Sequence, residues 1–243
     1  MPPSAPSKQN RRFPRYRTFL KNRPLLRDAL TTTGWSGLGR AAGFFIPFFI
    51  AAWFGVSSGT GAFFFAYGLV VFLAGIFAPA METVIVPFLA ELRDRDREAG
   101  LLVGRLMGLS GLLLLVVTGL MIVLVRPIMR NFTEFGPETI RLAYVLVLET
   151  APLVIILNWS SILAGSLNAY QKFPYPAVSP VLRAAVNLLI ILAGKDLMGV
   201  RIIPLGYLGG ELVRLAFLGV VIRHRRLFRV RLGFRCGPVI RRF

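Results

Sequence analysis

Six ionisable side chains lie inside long apolar stretches of the sequence. They are three arginines and three glutamates: Arg40, Arg183, Arg214, Glu82, Glu149 and Glu211. An ionised side chain at the centre of a lipid bilayer costs on the order of 3 kcal/mol, so each is expected to have a partner or to face a hydrated cavity. Because a guanidinium matches a phosphate or pyrophosphate through its planar donors, we predict that the arginines are anion-binding cavity residues. The glutamates are predicted to be cavity or pairing acids.

Spacing suggests partners for four of these residues. Glu211 and Arg214 are three residues apart, and a helix places such residues on one face. Glu149 and Arg183 lie on consecutive apolar stretches at similar depths, roughly 16 and 20 Å from the outer surface at the rise of an α-helix. Internal pairing of Glu211 with Arg214, and of Glu149 with Arg183, is therefore the simplest expectation.

Arg40 lacks such a partner. The nearest acid along the chain, Glu82, is predicted near the cytoplasmic edge, about 10 Å away in depth. Arg40 is therefore the best candidate for contact with an anion inside a hydrated cavity.

No pattern of catalytic residues accompanies these charges. The sequence has one histidine, His224, and one cysteine, Cys236, and neither belongs to a metal-ligand motif. It contains no phosphate-binding glycine loop and no nucleophile beside a base. We predict that the protein is not an enzyme and needs neither a cofactor nor a metal ion.

The composition is that of a membrane protein. Hydrophobic residues make up 55% of the 243 residues, charged residues only 16%, and the mean hydropathy is +0.66. The net charge of +18 is concentrated at the ends, with eight Lys or Arg in residues 1–27 and eight in residues 223–242. This placement favours cytoplasmic flanks held against anionic membrane lipids over a nucleic-acid partner.

The apolar stretches predict an all-α bundle of six transmembrane helices. The spans cover approximately residues 29–54, 62–89, 101–125, 139–167, 177–193 and 202–222. Residues 1–27 are a predicted basic tail, residues 28–223 the membrane lobe and residues 224–243 a basic cytoplasmic segment. Lys and Arg are much denser on one side, which places both ends in the cytoplasm. The fourth span is long enough to tilt or to kink at Pro152.

Glycines at four-residue spacing predict close helix contacts. The third span contains Gly100, Gly104 and Gly108, and the sixth contains Gly206 and Gly210. Small residues at this spacing let two helix backbones approach each other in a membrane.

Several segments, in their order and spacing, resemble one family of transporters. They are Gly39-Arg40-Ala41-Ala42-Gly43-Phe44, Ala51-Ala52-Trp53-Phe54-Gly55, Thr60-Gly61-Ala62-Phe63-Phe64-Phe65-Ala66-Tyr67, Ile85-Val86-Pro87-Phe88-Leu89-Ala90-Glu91 and Leu163-Ala164-Gly165-Ser166-Leu167-Asn168-Ala169. The sequence from about Gly34 to its end is similar to the N-terminal half of the lipid II flippases, the MurJ (MviN) proteins. These belong to the multidrug/oligosaccharidyl-lipid/polysaccharide exporter superfamily.

The resemblance implies a two-lobed transporter of about fourteen helices in the bacterial cytoplasmic membrane. In that family, cationic residues of a central cavity meet the pyrophosphate of an undecaprenyl-linked glycolipid used in peptidoglycan synthesis. Arg40 matches the family's first-helix cavity arginine. The 243 residues correspond to one lobe, so a second lobe is an expected partner, from the same chain or from another subunit.

The sequence departs from the family pattern at other cavity positions. Ile46 stands near a family arginine, Gly61 replaces an acid, and residues 73–75, where the family has an arginine pair, are uncharged. Two alternatives to a lipid II-like substrate therefore stay open. One is a related exporter of O-antigen or capsule precursors, and the other is a non-transporting membrane partner or scaffold of envelope synthesis. A homodimer that forms a complete transporter is also possible.

Overall fold

The computed structural model describes residues 23–230; in the first helix the side chains of residues 23–33, 35, 36, 40 and 42 lie outside the described part. Seven α-helices account for almost all of this range. They are α1 (Arg23–Phe54), α2 (Ser58–Glu91), α3 (Asp96–Phe132), α4 (Pro137–Thr150), α5 (Pro152–Ala169), α6 (Pro174–Met198) and α7 (Ile202–His224). A single 3-10 turn, Gly199–Arg201, joins α6 to α7. No strand occurs in residues 23–230.

Five helical stretches within the described residues have the length and hydropathy needed to cross a membrane. They are Gly37–Phe54, Ser58–Glu91, Asp96–Phe132, Pro137–Ala169 and Pro174–His224. The fourth stretch is α4 followed directly by α5, and the break falls at Ala151, immediately before Pro152. The interruption lies where a proline lacks the backbone donor of a continuous helix.

Helix ends lie further out than the apolar stretches predicted. The third span was expected over residues 101–125, but α3 runs from Asp96 to Phe132. The connection between α2 and α3 is correspondingly short. The added turns carry Asp96 and Glu98 at the start of α3 and Arg130 at its end, which suits the helix dipole at both ends. A hydropathy criterion selects apolar residues, so it does not include the polar turns at the ends of a helix.

The turn between α1 and α2 is built by short polar residues. Gly55 has a φ of +68°, which a glycine adopts without steric cost. The Ser57 backbone N–H donates to Thr60 Oγ1 at 2.9 Å, and the Thr60 N–H donates to Ser57 Oγ at 3.3 Å. This capping box satisfies two orphan donors and starts α2 at Ser58, four residues before the predicted span.

α6 and α7 pack against each other as an antiparallel hairpin. A Cβ added at Gly206 would lie 2.6 Å from Ile191 Cγ1, and one added at Gly210 would lie 2.6 Å from the carbonyl oxygen of Arg183. The prediction that Gly206 and Gly210 form a helix contact is confirmed. Because the two helices are antiparallel, residues nearer the end of α7 contact residues nearer the start of α6.

α1 packs on α6 rather than on α2, its neighbour in sequence. A Cβ added at Gly39 would lie 2.8 Å from Pro180 Cβ, so glycine allows the two helices to touch. α5 contacts α2, α3 and α7. Two apolar cores result: one around Phe63 and Leu146, and the other around Leu89 and Leu167.

Candidate functional site

The α6–α7 hairpin brings three of the predicted charged residues together. Arg183 Nη1 donates to Glu211 Oε2 at 3.3 Å, and Arg214 Nη1 donates to Glu211 Oε1 at 3.0 Å. Each oxygen of the carboxylate thus has its own guanidinium. The Glu211 side chain is only 1% exposed, so the two arginines compensate a charge that water does not reach.

A fourth side chain completes this group. Arg214 Nε donates to Ser179 Oγ at 3.2 Å, and the same hydroxyl donates to the Pro176 carbonyl at 2.9 Å. Ser179 lies one turn before Arg183 on α6 and is fully buried. We refer to Arg183, Glu211, Arg214 and Ser179 as the arginine–glutamate cluster. With two cations and one anion, the cluster carries a net charge of +1.

The two arginines differ in accessibility. The side chain of Arg183 is 27% exposed and that of Arg214 is 12% exposed. A Cβ added at Gly43 would lie 3.8 Å from Arg183 Nη2, so α1 passes directly over the Arg183 guanidinium. Because more of its side chain is exposed, Arg183 is the cation of the cluster that is better placed to meet an anion.

Arg40 belongs to the same stretch of α1. It follows Gly39, which abuts Pro180, and precedes Gly43, which abuts Arg183. Its side chain lies outside the described residues, so its role as a cavity arginine stays a prediction.

Glu149 does not pair with Arg183, and this expectation was wrong. Both Nε and Nη2 of Arg201 donate to Glu149 Oε1. The depth estimate placed Glu149 and Arg183 at similar heights, but it carried no information about which way either helix faces. Arg201 comes from the 3-10 turn before α7, and α7 packs against α4.

Glu82 has an uncharged partner. The amide nitrogen of Asn168 donates to Glu82 Oε1 at 3.2 Å, which joins α2 to the end of α5. No ion pair forms at Glu82 among the described residues. The structure thus brings Glu211, Arg183 and Arg214 together, while Glu82 and Glu149 each have a separate partner.

Sequence reasoning missed Ser179 and the pairing of Arg201 with Glu149. Ser179 precedes Arg183 by four residues, which is a helical spacing, and this signal could have identified it. Arg201 lies in the 3-10 turn, one residue before the predicted span 202–222, so a search confined to charges within the spans does not include it. Asn158, buried in α5, also donates to Ser110 of α3 at 2.8 Å, a polar contact that no charge pattern predicts.

The cluster can attract an anion but has no means of breaking a bond. Its members are two permanent cations, a paired carboxylate and a hydroxyl that already donates to a carbonyl. None of the four is a nucleophile next to a free base. Electrostatic recognition is the chemistry that this arrangement supports.

Comparisons with known proteins agree with the fold. Residues 50–242 match the family described as Lipid II flippase MurJ. A MOP superfamily transporter from Pyrococcus furiosus Vc1 (DSM3638), whose binding pocket of reverse polarity suggests a different function, superposes with a TM-score of 0.68 and 18% identity. That alignment covers 87% of this chain and 48% of the transporter. The inward closed conformation of a lipid II flippase MurJ gives a TM-score of 0.63 and 12% identity, over 82% of this chain and 42% of the flippase.

At these identities the solved structures establish a shared fold only. The chain spans about half the length of both solved structures. The family match is independent of them and extends over well more than half of the 243 residues. The chain therefore belongs to the lipid II flippase MurJ family.

Proposed function

We propose that this chain is one lobe of a flippase that moves a lipid-linked, pyrophosphate-bearing cell-wall precursor across the bacterial cytoplasmic membrane. Family membership supports the class of activity. The observation that carries the proposal to particular residues is the fully buried Glu211 carboxylate shared by Arg183 and Arg214. A cationic group of this kind inside an apolar helical bundle is a costly feature, and such features mark substrate paths.

We infer six membrane passes with both ends in the cytoplasm. The antiparallel packing of α6 on α7 supports two passes for the stretch Pro174–His224. The other four stretches of spanning length supply one pass each. The excess of Lys and Arg at the two ends of the sequence supports the cytoplasmic orientation.

In this proposal Glu211 occupies the arginines while no substrate is bound. An arriving pyrophosphate competes for Arg183, the more exposed of the two, while Arg214 keeps its contacts with Glu211 and Ser179. Because one guanidinium remains on Glu211, the carboxylate is never left alone in the bilayer. The exchange replaces one charge-assisted hydrogen bond with another, so binding and release both stay possible.

Arg40 is the second proposed contact for the pyrophosphate. Its position on α1, between the glycines that touch Pro180 and Arg183, supports a place near the cluster. The opposite side of the cavity belongs to a second lobe, supplied by the same chain or by another subunit. An Arg40→Ala variant that inserts normally should lose flipping.

Flipping by the purified protein in liposomes tests the proposal. A fluorescent lipid II analogue in the outer leaflet is quenched by a membrane-impermeant reductant, and the protected fraction reports movement across the bilayer. We expect Arg183→Gln to slow flipping on the order of tenfold, the size of one lost charge-assisted contact.

Arg201→Gln is the matched control, because it removes an arginine from an ion pair outside the cluster. It should keep the rate within about twofold, since the Arg201 side chain is 55% exposed and lies outside the cluster. Wild-type flipping by Arg183→Gln would remove Arg183 from the substrate path. Absence of flipping by the unmodified protein, reconstituted together with its second lobe, would reject the proposed activity.

A related exporter is the second candidate, and the uncharged residues 73–75 favour it. A cavity with fewer cations is suited to a headgroup of lower charge or different sugars. Offering the same liposomes O-antigen or capsule precursors on the same lipid carrier separates the two. Faster transport of those headgroups would select the second candidate.

A further inference from the structure

A second group of arginines surrounds a cavity at one end of the bundle. The cavity has a volume of about 620 Å³ and lies where α7 ends and α3 begins. It is lined by Asp96, Arg97, Arg223, Arg226, Phe228 and Arg229, which we call the basic pocket. A pocket of this volume is within the range of small-molecule sites. It is separate from the arginine–glutamate cluster and shares no residue with it.

The segment after α7 is fixed in place and forms one wall of the basic pocket. Arg226, with a φ of +52°, turns the chain back across the start of α3. The carbonyl oxygen of Arg229 lies against Gly100 so closely that no Cβ fits there. Phe228 is 5% exposed, and its ring centroid lies 5.7 Å from that of Tyr170. The arginines of this segment are therefore held beside α3 by packing.

The charge of the basic pocket is uncompensated. Four guanidiniums and one carboxylate give its lining a net charge of +3. Among the described side chains, none of the four arginines forms an ion pair. Of the Asp and Glu residues in the sequence, Asp28 alone has a side chain outside the described part. The described acids therefore leave the pocket with its net positive charge.

The basic pocket lies at the level of lipid headgroups. Arg223 directly follows the buried Ile222, and Arg97 precedes the buried Ala99 by two residues. At about 1.5 Å per helical residue, both arginines are within roughly 5 Å of the apolar part of the bundle. The polar layer on each side of a bilayer core is about this thick. The anion most available at this depth is a phosphate attached to a lipid.

We propose that the basic pocket binds the phosphodiester of an anionic membrane phospholipid. Several guanidiniums around one phosphate provide the bidentate geometry that arginine favours. Phospholipid phosphate is abundant at this depth, so a pocket open to the headgroup layer is occupied by it first. The bound lipid fastens the end of α7 to the start of α3.

Binding of a phosphatidylglycerol with a fluorescent acyl chain tests the proposal. Fluorescence anisotropy in a neutral detergent gives the apparent Kd for the unmodified protein and for Arg97→Gln/Arg223→Gln, which removes one cation from each helix. An arginine near a membrane surface contributes about 1 kcal/mol, so we expect the double variant to bind at least tenfold more weakly. The Arg97→Lys/Arg223→Lys variant, which keeps both charges, should lose less.

Arg93→Gln/Lys172→Gln is the matched control, because it removes two cations from the same end of the bundle outside the pocket. It should change the apparent Kd by less than twofold. Equal losses in both double variants would mean diffuse attraction and overturn the proposal. If the double variant does not fold, the single Arg223→Gln variant with a severalfold loss serves instead.

Two competitors identify the source of the phosphate. Unlabelled phosphatidylglycerol should displace the probe, and inorganic phosphate at the same concentration should not. If a polyprenyl pyrophosphate displaces the probe far better than phosphatidylglycerol does, the pocket belongs to the transported lipid and the proposal is overturned. Since none of these measurements involves flipping, their outcome is independent of the proposed transport activity.

Discussion

The arginine–glutamate cluster and the basic pocket differ in whether their arginines are paired with a carboxylate. Within the cluster, Glu211 is buried, and both oxygens of its carboxylate have a guanidinium within 3.3 Å. In the pocket, four exposed arginines have no ion-pair partner among the described side chains. The first group is balanced internally to within one charge, whereas the second leaves a net charge of +3 to its surroundings.

This difference follows from access to water. An unpaired charge in the apolar interior costs several kcal/mol, so the interior arginines require a carboxylate. An unpaired arginine among lipid headgroups remains hydrated and costs little. A paired arginine deep in the bundle is therefore weaker evidence for a ligand than four unpaired ones around a cavity. For this reason the cluster needs a functional test, while the pocket needs a binding test.

Removal of the shared carboxylate should have the largest effect. Glu211→Gln leaves Arg183 and Arg214 facing each other without an anion, and we expect the free energy of unfolding to fall by about 3 kcal/mol or more. Unfolding by a denaturing detergent, followed by helical circular dichroism, measures this. Glu211→Asp, which keeps the charge, should lose distinctly less. A Glu211→Gln protein as stable as the unmodified one would show that water reaches the cluster.

A methyl group between α6 and α7 should have an intermediate effect that is confined to the cluster. Gly210→Ala places a Cβ 2.6 Å from the Arg183 carbonyl oxygen and 3.2 Å from Asn187 Cβ, so the helices must separate. Overpacking of this kind costs about 1–3 kcal/mol. The same unfolding measurement should show the loss, while phosphatidylglycerol binding stays unchanged.

Gly219→Ala is the control on the same helix, because nothing lies within 4 Å of its added Cβ. It should be neutral or slightly stabilising, as alanine is the better helix former. Equal stability of the two variants would contradict the close contact at Gly210.

Disruption of the Glu149–Arg201 pair should have the smallest effect. The Arg201 side chain is 55% exposed, so water replaces most of what the glutamate provides. We expect Arg201→Gln to change the free energy of unfolding by less than about 1 kcal/mol. A loss as large as that of Glu211→Gln would place this pair in the same class as the cluster.

The helices and one of the contacts could be predicted from the sequence. Each predicted apolar stretch coincides with a helix of the described residues or, for residues 139–167, with the consecutive pair α4 and α5, which is interrupted just before Pro152. The Glu211–Arg214 contact follows from a three-residue spacing on α7, because one helix fixes the geometry of both residues.

Partners on different helices could not be predicted. Whether Arg183 meets Glu211 or Glu149 depends on how α6 is rotated against α7, and Gly206 and Gly210 set that contact. Ser179 joins the cluster for the same reason. The basic pocket depends on a turn at Arg226 and on the space above Gly100, which charge counting along the sequence does not reveal.

The packing of α1 on α6 has a consequence for the assembly of the protein during synthesis. α1 ends at Phe54 and α6 begins at Pro174, so the ribosome must make about 120 further residues, a matter of roughly ten seconds, before the partner of α1 exists. During that interval α1 exists without α6, the helix that its Gly39 and Gly43 contact. Of the described helices, α1 is made first and is among the last to dock, and its docking places it over Arg183.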